Sequence, residues 1–258
     1  MKKIYYLLIS IIFISCNENN IIQNNQPTGP TVYTEDDVPP LTQQLLNKYY
    51  ADAAFIEFSE IIQDSILKET QVNLNLKHVN QYYGDLILIH KKSYLLGNSF
   101  FENFLGVFNF HAPIMFMMFA TVDSSKEWIQ NILNGNNYTG IESIDTLITN
   151  YEVEITNPIP FNEYYMVNIY SIKPYNTYAL SNKFFSTGEF NSYEPNALLG
   201  DASSINYRTD NNLRVYIYRL GWGDCEAGCT NNHYWEISID ENNTVNLLNE
   251  YGDPLPGK

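Results

Sequence analysis

The sequence predicts an α+β fold, and two patterns carry that reading. Apolar residues fall on one helical face through residues 52–68, while apolar and polar residues alternate strictly through residues 233–240. A 3.6-residue period early in the chain and a two-residue period late in it call for helices laid on an antiparallel sheet. The 218 residues from Leu41 to Lys258 suffice for a substantial core.

The N-terminus reads as a targeting segment. Lys2 and Lys3 precede the apolar run Ile4–Ile14, which is too short to cross a bilayer. The Ser15-Cys16 junction resembles a bacterial lipobox, with Phe13 standing where Leu is usual. That resemblance implies a signal peptide over residues 1–15, lipidation at Cys16 and attachment to a membrane of the cell envelope, the outer membrane of a diderm bacterium. An ordinary cleaved signal peptide is the alternative, and either one exports the chain. Residues 16–40 are Asn/Gln-rich and then Pro-rich, without apolar periodicity, and read as a disordered tether.

Removing residues 1–15 takes away two lysines and no acid, so the net charge moves from −15 to −17. Polyanion binding needs clustered Lys and Arg, and none cluster here, so nucleic acid is excluded as a partner. The partners expected are the membrane, through the anchor at Cys16, and an unidentified protein or glycan.

Residues 41–111 are expected to be a helical region. Ala54, Phe55, Phe58, Ile61, Ile62 and Ile66 share one face of a helix over residues 52–68, with Asp52, Glu57, Glu60 and Asp64 opposite. Residues 72–76 read as a short strand. Asn80 is placed to cap a second helix ending at His90. His78, His90 and His111 lack a ligand partner at sequence spacing and read as structural. Residues 93–111 give no clear pattern.

From residue 112 to 200 the elements sharpen. Ile114–Val122 reads as a buried strand, followed by Ser124 and Glu127 as a capping box for a helix carrying Trp128, Ile129, Ile132 and Leu133. A short helix at residues 141–148 and a strand at 151–155 follow, the strand stopped by Asn157-Pro158. A strand at 164–170 comes next, then a helix from Asn176 to Ser186 and a strand at 190–194 closed by Pro195. The order β-α-β-β-α-β is that of a ferredoxin-like unit. Its ending, with Leu180, Phe184, Gly188, Tyr193, Glu194, Pro195 and Asn196, resembles the helix-turn-strand that closes subtilisin propeptides and related peptidase inhibitors. The resemblance spans residues 114–196. It implies a ferredoxin-like fold and marks Glu194, Pro195 and Asn196 as candidate partner-binding residues. In propeptides the chain after this strand enters the protease cleft. Here it runs on through Gly200-Asp201 into further strands.

Residues 201–258 read as a C-terminal β-meander. Leu213–Leu220 is rich in β-branched and aromatic residues. In residues 233–240, Trp235, Ile237 and Ile239 alternate with Tyr234, Glu236, Ser238 and Asp240. Asn242-Asn243 turns the chain into a strand at 245–248. Between the first two strands lies GWGDCEAGCTNNH. Cys225 and Cys229, four apart among glycines in an exported chain, are expected to form a disulfide. Two other readings stay open. Cys225, Cys229 and His233 have C-x3-C-x3-H spacing for a metal, though no second ligand pair exists. The pair could also be redox-active, though that chemistry uses C-x-x-C at the start of a helix. His233 reads as a hydrogen-bonded structural residue in preference to a ligand. The segment WGDCEAGCTNNHYW resembles the W-G-D-C-x-x-G-C-x-x-x-H-Y-W motif of uncharacterised secreted bacterial proteins. That resemblance implies a related domain and no activity.

The sequence carries no phosphate-binding glycine loop, G-x-S-x-G elbow, H-E-x-x-H or EF-hand spacing, so no cofactor is expected; enzyme activity stays open, because 29 acids offer many carboxylate pairs, with a non-enzymatic role favoured. The leading functional reading is a non-enzymatic binding or scaffold lipoprotein. Second is an inhibitor or chaperone-like partner of a secreted subtilisin-like protease. Third is a hydrolase without a recognisable motif.

Overall fold

The computed structural model describes residues 31–195 and 200–256; the expected signal peptide, Cys16 and Asn196 lie outside the described residues. The protein is α+β. Helices α1 (Gln43–Ile61), α2 (Ser65–Thr70), α3 (Leu76–Lys92) and α4 (Asn98–Asn103) lead into β1 (Met117–Asp123). Then come α5 (Ile129–Leu133), α6 (Glu142–Tyr151), β2 (Val153–Phe161), β3 (Tyr164–Ser171), α7 (Thr177–Phe185) and β4 (Ser192–Pro195). A meander of β5 (Ser204–Asp210), β6 (Leu213–Trp222), β7 (Asn231–Ile239) and β8 (Val245–Gly252) ends the chain.

The first sheet has the order β2-β3-β1-β4, and each neighbouring pair is antiparallel. Together with the helices between the strands, this is the ferredoxin-like arrangement expected from the element order. Met118, Ala120 and Val122 point to the helices and share a core with Ile129, Ile144, Ile148, Leu180 and Phe184. Asn176 caps α7 through its side-chain oxygen. Its amide also donates to the carbonyls of Lys68 and Gln71 at 2.9 Å, which ties the end of α2 to the start of α7.

The second sheet, β5-β6-β7-β8, is antiparallel throughout. Helices α1 and α3 cover one of its faces. Tyr49, Ala53 and Phe58 of α1 and Val79, Leu86 and Ile89 of α3 share a core with Tyr216, Tyr218, Trp235, Ile237 and Ile239. Each large side chain buried this fully contributes about 1.5–3 kcal/mol. The N-terminal helices and the C-terminal meander therefore complete one core, and residues 117–195 build the other between them.

Several local expectations are corrected. The helix expected over residues 52–68 is two helices: α1 starts earlier, where the Thr42 hydroxyl accepts from the Leu45 amide, and Asp64 restarts the chain by capping α2. Asp52 and Glu57, expected on the solvent side, are buried, and Ile66, expected in the core, is exposed. For the two acids the physical reason is that α1 is covered on more than one side, by α3, by the meander and by residues 109–116; Ile66 belongs to α2, past the restart at Asp64, and so leaves the stripe of α1. Residues 72–76 form a single bridge, Asn73 to Tyr175, in place of a strand. The cap of α3 is Asn75, not Asn80. Ser124 and Glu127 form no capping box, because Asp123 draws the Ser125 amide and hydroxyl into a turn and the helix starts later, at Ile129. Strand β2 does not stop at Asn157-Pro158. It passes them with a register shift, as an edge strand can, since one side of it pairs with no strand among the described residues. Ordered packing also begins before Leu41. The Tyr33 ring lies 4.1 Å from that of Phe101, and His90 Nε2 donates to the Pro39 carbonyl at 2.7 Å.

Candidate functional site

The cysteine loop is a clamp built from backbone. Cys225 and Cys229 form a disulfide in the β6–β7 connection, with their Cα atoms 3.9 Å apart. The Asp201 amide donates to the Cys225 carbonyl at 2.6 Å, and the Asp201 carboxylate pairs with Arg219. Hydrogen bonds from Arg219 hold the Asp201 carboxyl below its usual range. Two glycines make the approach possible. A Cβ at Gly221 would stand 2.7 Å from the Cys229 sulfur, and one at Gly200 would stand 2.8 Å from the Cys225 carbonyl oxygen.

His233 does not join the two sulfurs. Its Nδ1 donates to the Asp253 carbonyl at 2.7 Å, its Nε2 lies 3.1 Å from Glu250 Oε1, and its ring packs on Trp235. With the sulfurs bonded to each other and both ring nitrogens engaged, the three residues are not gathered as metal ligands. Ser99 donates to the same Glu250 oxygen at 2.7 Å and accepts from Trp235 Nε1. A serine, a histidine and an acid thus meet, but the carboxylate stands between the other two. The hydroxyl donates to the carboxylate and not to the imidazole, so the group lacks the Ser–His–acid order of a serine nucleophile.

Two further groupings come from tertiary pairing that sequence spacing could not show. Glu57, Glu60 and His78 bring three ligating atoms within 4.8 Å of one another. Protein donors already hold both carboxylates: Asn75 N and His78 Nδ1 contact Glu57, and the Tyr82 hydroxyl donates to Glu60. This group acts as a tie between α1 and α3.

The second grouping surrounds Asp52, which is 1% exposed. Its Oδ1 accepts from the Asn109 amide at 2.7 Å, and its Oδ2 has no hydrogen-bond partner among the described residues. Burial pushes its carboxyl up to about 7. Asn109 in turn accepts from the Ile205 amide at 2.7 Å, which links α1 to β5. Asp52 lines a cleft of about 310 Å3 with Lys48, Ala51, Phe108, Phe110, Ala112 and Phe116. Lys48 Nζ lies 4.5 Å from the centre of the Phe108 ring.

Among the described residues, one face of the ferredoxin-like sheet is uncovered. Opposite the buried Met118, Ala120 and Val122 stand Met117, Phe119 and Thr121. Strand pairing sets Met117 beside Tyr170, Thr121 beside Met166, Met166 beside Ile159 and Tyr164 beside Phe161. Ile159 and Phe161 are 57% and 56% exposed. Glu194, one of the expected partner-binding residues, is exposed on this face beside Phe119, and Pro195 lies next to it in β4.

No family model matches the chain, and neither a curated protein nor a solved structure matches it.

Proposed function

We propose that the protein is an exported, lipid-anchored envelope protein that binds a partner protein through the open face of its ferredoxin-like sheet, without catalysing a reaction. The observation that carries this reading is the face itself. Met117, Phe119, Ile159, Phe161, Met166 and Tyr170 lie together on a sheet whose other side is already packed. Thr121 and Asn168 interrupt these apolar residues, and a largely apolar open surface of this kind marks an interaction site. The four strands contain no Lys or Arg, and Asp123, Glu154 and Glu194 stand among the apolar residues. The partner that fits is a protein with an apolar centre rimmed by Lys and Arg. The signal-like N-terminus and Ser15-Cys16 support export and lipid anchoring.

The protease-partner reading uses the same face, which in subtilisin propeptides docks on the enzyme. Against a propeptide-like tail, Asp201 is fastened to Cys225 and Arg219, so the chain after β4 is held at both ends. Such a partner would dock on the sheet without the cleft-filling segment.

The test places a photo-crosslinking residue at Phe161, at Met166 and, as a control, at the exposed Glu142 of α6, in cells that express the full chain. A protein adduct at the two sheet positions and none at Glu142, lost when Glu154 and Glu194 become Lys, is the expected result. Adducts alike at all three positions, or none, overturn the reading, as does an adduct containing only a second copy of the chain. The mass of the membrane-extracted chain reports the anchor: it should begin at Cys16 with added acyl groups.

A further inference from the structure

The Asp52 cleft carries an inference independent of the sheet face. A tie between α1 and Asn109 needs one acceptor, which Oδ1 supplies. An asparagine would supply it as well, without a buried acid. The second oxygen is thus surplus to the fold, and leaving such an atom without a partner costs about 1–3 kcal/mol. Asp52 lines the cleft while its second oxygen lies buried behind that wall, and a buried acid with a surplus oxygen beside a cleft marks a ligand position.

We propose that this cleft binds a small organic amine, an ammonium group on an apolar and preferably aromatic body, with the Asp52 carboxylate as its counter-ion. The walls fit that chemistry. Phe108, Phe110 and Phe116 offer ring faces, and Ala51, Ala112 and Pro113 offer aliphatic surface. Lys48 Nζ over Phe108 is itself an ammonium on one of those rings. A neutral ligand could bond to Oδ2 but would not favour the ionised carboxylate, as an ammonium does. An anionic ligand would add a second negative charge beside it. The net charge of −15 raises the local concentration of cations at the surface. The cleft volume is at the small end of the range for ligand sites, roughly 300–1,000 Å3. Lys48 competes with the ligand, because its ammonium occupies the Phe108 face and lies on the same helix one turn before Asp52.

The experiment is calorimetric titration of the exported chain with phenethylamine, 2-phenylethanol and phenylacetate, which share a body and differ in head-group charge. Saturable one-site binding is expected for the amine, weaker binding for the alcohol and none for the acid. Asp52→Asn should weaken the amine by about tenfold or more, the scale of a lost hydrogen bond to a charged group, and leave the alcohol nearly unchanged. Lys48→Met retains Asp52 and should tighten amine binding, so the proposal stays testable if the Asp52 variant fails to fold. Ala51→Phe, which fills the cleft, should abolish it. Absence of saturable amine binding to the folded wild-type chain overturns the proposal. So does tighter binding of phenylacetate, or amine affinity that does not respond to Lys48→Met.

Discussion

The Asp201 amide donates to the Cys225 carbonyl at 2.6 Å, so the chain returning from the ferredoxin-like unit is fastened to the five-residue ring that the disulfide closes. A ring this small removes little entropy from the unfolded chain. Replacing Cys225 and Cys229 by Ser should lower global stability by about 2 kcal/mol, measured by denaturant unfolding. The local effect should be larger than the global one. Hydrogen exchange at Asp201 and Ala202 should rise strongly while that at Trp235 and Ile237 keeps its global protection. Equal loss of protection in both places would mean that the ring holds the whole meander and not this crossing.

Gly221 tests the same clamp without touching sulfur. A methyl group there meets the Cys229 sulfur and, at 3.1 Å, the Ala202 carbonyl oxygen. Gly221→Ala should therefore destabilise even though an extended backbone would otherwise favour alanine over glycine. A rise in the unfolding midpoint would refute the close approach.

These contacts also mark the limit of what the sequence reveals. The alternation of Trp235, Ile237 and Ile239 placed β7 correctly, because one face of that strand is fully buried while the other, apart from Ser238, is only partly covered. Asn176 was legible as a cap because capping is a local event. The ferredoxin-like order followed from such local signals taken together. Asp52 and Glu57 were misread because an amphipathic stripe reports one buried face, and α1 is covered on more than one. The pairing of Asp52 with Asn109, 57 residues away, leaves no periodic trace. Strand β5 was missed for a similar reason: its register comes from β6, not from its own weak alternation.

Asp85 on α3 and Arg214 on β6 form a two-pronged ion pair, with Nε to Oδ2 at 2.7 Å and Nη2 to Oδ1 at 3.2 Å. The Tyr216 hydroxyl donates to the same carboxylate at 2.8 Å. Both side chains are largely buried, so removing one partner strands the other. Asp85→Ala should cost about 3 kcal/mol or more in chemical denaturation. Replacing the pair together, as Asp85→Leu with Arg214→Met, should cost less than that single change, because no charge is then left without a partner. A double variant less stable than Asp85→Ala would show that the pair is worth more than apolar packing at this site.

The last prediction concerns acid and base. Burial raises the folded-state value of Asp52 to about 7 from an ordinary value near 3.8, against the lowering effects of Asn109 and Lys48. Tyr49 on the same helix and Tyr218 on β6 are the other titratable groups coupled to it, and burial pushes both of their values further up, away from this range. A raised acid binds its proton more tightly in the folded state than in the unfolded one. The folded chain therefore holds the extra proton between about pH 4 and pH 7, and Asp52 makes stability fall as pH rises through that window. Below it the residue is neutral in both states and adds no penalty. Above it the penalty is complete and constant, on the order of a few kcal/mol. Asp52→Asn keeps an acceptor for the Asn109 amide and removes the titration. Relative to the wild type, the variant should gain stability between about pH 4.5 and pH 8, whatever its absolute stability. The measurement is urea unfolding of both chains at the two ends of that range. A stability difference that stays flat would mean that Asp52 titrates like an exposed carboxyl, and a difference that moves the opposite way would mean that it is held ionised in the fold.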